Sequence, residues 1–534
     1  MPAPMDGLAI EPMYSLPAGC VLSLVTNDGH LAAVCTTVDG RPQVCWDGTC
    51  GEPFDRFMEL RDGSPGVFAS ADGNHVAYAG VRGERGFVSR DGIDGRAWGD
   101  VSRSVPPAFD KSGKHLAYGA RVDDGSYRLI LDGEPIGTAE VAPVGAVFSP
   151  DGSRLAYVEM RGEGRNDVEF RVVLDRQPGE WFQGMRNAGG VMQFSPDGRR
   201  FAYQTIDGRG HSRWIVDGHP HREINDTRPM SIARFRGIGV IEPPLPARFS
   251  PDGRRFAYFA DVVEKGVAIL EDDRAGPLFK ELSAPVFSPD SRHLAYAART
   301  YADEAVLMYD GTELGRWTKS RGAIPVFSRD ARRVAMTLET ETGGFLRRGS
   351  TFTVVVDGDT HDALPGTDAS AVPAFSDDGE LFAVWVQGAD GRTRLLLDGV
   401  DQKLEWSVAS EIAFDQDGAP VYVADVGGSF TVVVGDRHGP LAEAVIDLRR
   451  LEEAFGRDPW GLPPFPFRVT AAGGVAWVGR FGDMHRPVLD DQVGPEFDLI
   501  AACQVDEQAV SWWAQTDETV YLLRRPLDTI ASVS

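Results

Sequence analysis

Long apolar runs are missing from this 534-residue chain, and no stretch approaches the eighteen or so hydrophobic residues a membrane helix needs. Basic residues are in short supply: 54 Lys and Arg stand against 79 Asp and Glu, a formal net charge of −25. That deficit excludes a general phosphate-backbone binder, which needs clustered cations. The chain has only ten histidines and five cysteines. An odd set of five, four of them crowded into Cys20, Cys35, Cys45 and Cys50, does not read as a secreted disulfide scaffold spread along the chain. Met1 to Cys20 contains Asp6 and Glu11 but no Lys, Arg or apolar core of a signal peptide. Pro17-Ala18-Gly19-Cys20 only faintly matches a lipoprotein cleavage box. The expectation is a reduced, cytoplasmic protein, without nucleic-acid or membrane partners.

Glycine and proline are abundant, at 61 and 35, so the chain turns often, and 42% hydrophobic residues supply cores between the turns. The turns are periodic. Phe148-Ser149-Pro150-Asp151-Gly152-Ser153-Arg154-Leu155-Ala156-Tyr157 returns at Phe194–Tyr203, Phe249–Tyr258 and Phe287–Tyr296. Weaker copies begin at Val25, Phe68, Phe109, Phe327, Phe375 and Phe414, and degenerate ones lie near Val469 and Val505. The ten clearer copies start 38 to 55 residues apart, and the degenerate pair brings the total to twelve. Most units hold a second phrase, an apolar run closed by Asp-Gly, as in Leu129-Ile130-Leu131-Asp132-Gly133 and Val354-Val355-Val356-Asp357-Gly358.

Asp-Gly between extended runs is a strong hairpin signal, because both residues tolerate positive φ. Each unit therefore reads as four short antiparallel strands, one propeller blade. The predicted fold is an all-β propeller of about twelve four-stranded blades. The repeated phrase resembles that of the TolB-type, WD40-like propeller family over nearly the whole chain. The resemblance implies the repeat architecture, and protein binding through the propeller is the family's use of it. No Gly-x-Ser-x-Gly elbow is present for an attached serine peptidase. The turns also account for the acidity: twenty Asp residues fall in or beside them, and without those the charge of −25 would fall to −5.

Two stretches break the rhythm, His221–Arg248 and Leu441–Arg468. Set 220 residues apart, they match at Pro220 and Pro440, Glu223 and Glu443, and Phe235 and Phe455. As paired crossings they suggest two rings. Blades 1–5 (20–227) are then completed by blades 11–12 (467–534) around an inserted ring of blades 6–10 (245–440), with crossings at 228–244 and 441–466. Tandem six-bladed rings, 20–283 and 284–534, are the alternative, and one large ring is third. Val445, Leu448, Leu451 and Phe455 recur at helical spacing and predict a bracing or partner-binding helix.

No catalytic motif stands out, and no cofactor is implied. Channel-mouth positions ahead of the Phe-Ser phrases are the binding candidates: Arg186, Asn187, Lys280, Glu281, Lys319, Arg321 and Glu411, with Trp181 and Trp317 as aromatic anchors. The weak metal candidates are Cys35, Cys45 and Cys50, and His211, His219 and His221. Their spacing lacks paired Cys-x-x-Cys knuckles, so inert thiols and loop histidines are the expectation. The functional expectation is a non-catalytic protein-binding scaffold. A hydrolase or lyase at a channel mouth and a small-molecule or metal sensor are the alternatives.

Overall fold

The computed structural model describes residues 3–527 apart from 27–28, 60–65, 138–141, 163–167, 184–191, 208–210, 226–246, 263–265, 343–348, 362–363, 367, 370–372, 389–390, 405, 409, 411, 447–465, 471–472 and 507. Its described elements are all strands, gathered into twelve sheets of four to six strands, one for each unit of the repeat. Blade 4 is typical: Ala142–Phe148, Leu155–Arg161, Glu169–Leu174 and Gln177–Pro178 pair in sequence order and antiparallel.

Why the phrase Leu-Ala-Tyr recurs follows from the two-residue period of a strand. In blade 4, Leu155 and Tyr157 pack toward blade 3, beside Ala117 and Leu129. Ala156 and Val158 point the other way, toward Met192 and Phe201 of blade 5. Blade 7 repeats the arrangement. Leu294 and Tyr296 meet Ile269 and Phe279 of blade 6, and Ala295 and Ala297 meet Phe327 and Met336 of blade 8. The alanine is a socket for the large residues of the next blade, and every blade is buried on both faces. Trp214 of blade 5 fills one such interface completely, its ring 5.2 Å from Phe256 of blade 6 in an edge-on contact.

Twelve core clusters are shared between blades, and each joins one consecutive pair. They include blades 5 and 6 (Trp214 with Tyr258) and blades 10 and 11 (Val432 with Trp477). Blade 12 returns to blade 1 through Trp513, Ala501 and Val520 packed with Leu22, Leu31 and Cys45. Among the described residues no core cluster joins blade 5 to blade 11 or blade 6 to blade 10. The described cores thus trace one ring of twelve, in place of the seven-plus-five or six-plus-six division expected from the matched insertions. The chain on either side of each insertion belongs to one and the same interface.

The ring is latched by its N-terminal segment. Ala9–Ser15 supplies the outermost strand of blade 12, antiparallel to Thr519–Pro526, and Ala3–Pro4 lies parallel to Gln492–Val493 on blade 11. Gln515 of blade 12 reaches across the seam, accepting from the Leu22 amide at 2.8 Å and donating to the Cys20 carbonyl at 2.7 Å.

The two Asp-Gly turns do different work. In the second turn both residues are left-handed, as Asp132 (φ 52°) and Gly133 (φ 85°) show. Its carboxylate then folds back over its own blade. In blade 5, Asp217 accepts the Phe201 amide at 2.9 Å and Arg200 Nε at 2.8 Å. Arg200 in turn donates from Nη1 to the Arg254 carbonyl of blade 6 at 2.6 Å, so one side chain stitches two blades. In the first turn the aspartate accepts from the preceding serine, Ser195 to Asp197 at 2.5 Å and Ser250 to Asp252 at 2.6 Å. The glycine beside it has no room for a side chain: a Cβ on Gly253 (φ +74°) would lie 2.6 Å from Asp197 Oδ1 of the preceding blade.

Three outcomes follow. Gly253→Ala combines left-handed strain with that clash and costs about 1–3 kcal/mol, read as a lower urea midpoint. Ala331 occupies the equivalent turn position in blade 8 at φ 62°, so Ala331→Gly raises the midpoint, by about 1 kcal/mol. Hydrogen bonds from Ser149 and then Ser153 hold Asp151 down to about 2, and the same serine-to-aspartate bond lowers Asp197, Asp290, Asp330 and Asp378. A depressed carboxyl stabilises the fold above the ordinary Asp range and loses that contribution as pH falls through its folded value. Circular dichroism should therefore show acid unfolding between about pH 4 and 2, and Ser149→Ala should move its onset upward.

Candidate functional site

Both Asp-Gly turns of a blade sit at one end of its strands, because the Asp175 carboxylate of the second turn meets Arg154 and the Leu155 amide just after the first. Interblade contacts between first turns, such as Gly253 against Asp197, align these ends around the ring. One face is therefore acidic for architectural reasons. The opposite face carries the loops from which binding residues are drawn.

On that opposite face the structure brings together three of the mouth candidates around an acid not foreseen from the sequence. Lys280 Nζ lies 2.9 Å from Asp303 Oδ1, in the hairpin loop of blade 7. Arg299 joins Asp303 at 3.3 Å and Glu281 at 3.5 Å, and Arg321 of the next blade adds its charge to the surroundings of Asp303. The Lys280 hydrogen bond, then the charge of Arg299, hold the Asp303 carboxyl below its usual range. The sequence hid this hub because Asp303 lies in a variable hairpin outside the repeated phrase. Lys319 is exposed in a left-handed linker between Thr312–Thr318 and Ser320–Gly322. Trp317 packs over Gly315 and against the core between blades 7 and 8. Arg186, Asn187 and Glu411 lie outside the described residues.

Two guanidinium groups approach the Trp181 ring, Arg161 at 4.0 Å and Arg171 at 4.5 Å from its centre. Arg171 is anchored by Glu159, whose side chain is only 3% exposed, with Nε and Nη2 each 2.6 Å from Oε2. This anchor was also invisible in the sequence, since Glu159 simply continues the strand after Leu-Ala-Tyr-Val.

The histidine candidates do not converge. His211 pairs with Asn225 and His219 with Val216, at opposite ends of one hairpin. His221 is packed against Phe256 and Tyr258 of blade 6, 3.7 Å from Asp273. Val445 belongs to the short strand Ala444–Val445 of blade 11, which corrects the helix expected to start there; Leu448, Leu451 and Phe455 lie outside the described residues.

The cysteines overturn the expectation of inert thiols. Cys20, Cys35, Cys45 and Cys50 lie one on each strand of blade 1, and two disulfides join Cys20 to Cys35 and Cys45 to Cys50. Cys35 and Cys45 do approach across their hairpin, at 3.3 Å between sulfurs, but each is bonded to its other neighbour. Sulfurs already joined to one another are not thiolate metal ligands. The fifth cysteine, Cys503, is buried in blade 12.

Removing one partner from each ion-pair group separates structure from surface. Glu159→Ala leaves the part-buried Arg171 without its partner and costs about 1–3 kcal/mol in denaturant unfolding. Asp303→Asn, at an exposed network, barely moves the midpoint.

No family model matches the chain, and no curated protein matches it. Among solved structures, Kuenenia stuttgartiensis hydrazine synthase aligns at a TM-score of 0.24 and 14% identity, covering 74% of this chain and 99% of that one. A likeness at that level bears on no functional conclusion.

Proposed function

We propose that the protein is a non-catalytic binding scaffold of the TolB-type, WD40-like kind, and that it docks an extended segment of a partner protein on the outer edge of blade 7. The observation that carries this reading is the strand Thr312–Thr318. Most outer strands are two residues long, which is how sheet proteins blunt their edges. Thr312–Thr318 is seven residues long, largely exposed, and paired only with Glu304–Tyr309. Its free edge is a template for an added strand.

A cleft of about 360 Å³ runs beside it, lined by Leu278, Phe279, Tyr301, Glu313 and Arg316 among others. Leu278 and Tyr301 are 44% and 66% exposed, apolar surface that an incoming segment would cover. Glu313 and Arg316 are paired to each other, and Arg316 also to Glu304, so the charged wall of the cleft is preorganised. The ion pairs around Asp303 serve the same reading, since charges engaged with one another hold loop geometry rather than act as acid and base. Two disulfides support an oxidising compartment over the cytoplasm expected from the sequence.

The test is affinity capture of the tagged full-length protein from its native cell, compared with Leu314→Lys, which places a charge on the exposed edge. A stoichiometric protein partner that the variant loses by tenfold or more, at an unchanged unfolding temperature, supports the reading. A partnerless preparation, or a partner retained by the variant, defeats edge docking and moves the search to ligands of the channel mouth.

A further inference from the structure

The four sulfurs of blade 1 form a chain that runs across the sheet. Cys20 is on the first strand, at the seam with blade 12, and Cys50 is on the outermost strand. The backbone register places Cys20 opposite Cys35 and Cys45 opposite Cys50, while Ala33 stands opposite Cys45 and Cys35 opposite Gln43. Cys35 and Cys45 are therefore diagonal neighbours on one face, and their sulfurs approach to 3.3 Å although they are not bonded. The sulfurs of Cys20, Cys35 and Cys45 lie within 4.8 Å of one another. Only the outermost of the four cysteines is open to any extent. Cys45, Cys35 and Cys20 are 0%, 2% and 5% exposed, and Cys50 is only partly buried.

From this we infer that blade 1 is a thiol–disulfide exchange site for an external dithiol, in which reducing equivalents pass across the sheet from Cys50 to Cys20. Thiolates exchange with a disulfide by in-line attack on one of its sulfurs, so the sulfurs must be in contact and the attacking side chain must turn into line with the bond that breaks, which release of Cys45 from Cys50 permits. A thiolate of the dithiol attacks Cys50, the accessible sulfur, forming a mixed disulfide and releasing Cys45 as thiolate. Cys45 then attacks Cys35; the Cys35–Cys45 bond forms, the Cys20–Cys35 bond breaks, and Cys20 leaves as thiolate. The second thiol of the dithiol resolves the mixed disulfide and releases Cys50. In sum the dithiol is oxidised to its disulfide, and its two electrons and two protons end on Cys20 and Cys50 as thiols. One disulfide remains in the blade, now Cys35–Cys45.

The exchange has a structural consequence at the seam. Before it, the Cys20 strand is tied covalently to its neighbour; afterwards it is held there by the ladder, the Gln515 hydrogen bonds and the apolar contacts with blade 12. This inference is independent of edge docking on blade 7.

The full-length oxidised protein is treated with one equivalent of dithiothreitol, quenched in acid, alkylated with N-ethylmaleimide and mapped by peptide mass spectrometry. The expected product keeps a Cys35–Cys45 disulfide, with label on Cys20 rising from background to the level on Cys50. A surviving Cys20–Cys35 bond with label on Cys45 and Cys50 overturns the inference, as does reduction of all four cysteines without a one-disulfide species. Cys50→Ser gives a second reading, because it leaves the Cys45 thiol facing the Cys20–Cys35 bond. With alkylation carried out in denaturant so that buried thiols react, label divided between Cys20 and Cys45 is the expected result, with the free Cys503 fully labelled as the reference and an unchanged unfolding temperature as the control of folding. Label on Cys45 alone overturns it.

Discussion

The structure depends on one recurring interaction, the bond between a turn carboxylate and the strand that starts beside it. At Asp217 a single side chain accepts the Phe201 amide and the Arg200 guanidinium, and Arg200 reaches on to a carbonyl of the next blade. The same links recur at Arg154 with Asp175 and at Arg333 with Asp357, each arginine again donating to the following blade. Where histidine replaces arginine, as in His75 with Asp91 and His115 with Asp132, the carboxylate link within the blade persists at 2.7 Å. Without these links the apolar faces would still attract, but fewer directional bonds would set the angle at which one blade follows the next.

This device compensates much of the chain's acidity within the turns. Most described turn carboxylates have an amide, hydroxyl or cation partner within their own turn or the neighbouring one. The other face and the rim carry the residues that the repeat does not require, and the docking edge we propose lies there. The Asp303 network, the Trp181 cluster and the long outer strand of blade 7 all lie in segments that differ from blade to blade.

That contrast also measures what was legible in the sequence. The blades were readable because Phe-Ser-Pro-Asp-Gly and Leu-Ala-Tyr each follow from a local rule, a turn geometry or a strand period, repeated until chance is excluded. The number of rings was not readable from the paired insertions. It depends on which faces meet, and the sockets formed by Ala156 or Ala295 accept a following blade without saying which one comes next. Among the candidate residues, Lys280, Glu281 and Arg321 come together in one loop cluster, yet Asp303, which pairs with Lys280 and Arg299, was hidden in a hairpin of no fixed pattern. The cysteines were seen as a cluster, but their pairing required the register that sets Cys20 opposite Cys35 and Cys45 opposite Cys50.

The N-terminal latch imposes an order on synthesis. Ala9–Ser15 is made some five hundred residues before its partner Thr519–Pro526. At roughly 5–20 residues per second that is a wait of about 25 to 100 s, during which eleven blades can stack upon one another while the first edge stands open. Pro12 lies in the middle of this waiting strand, where the absence of an amide donor discourages a wrong partner. The ring is thus assembled as a growing arc and becomes a ring only when blade 12 has been made.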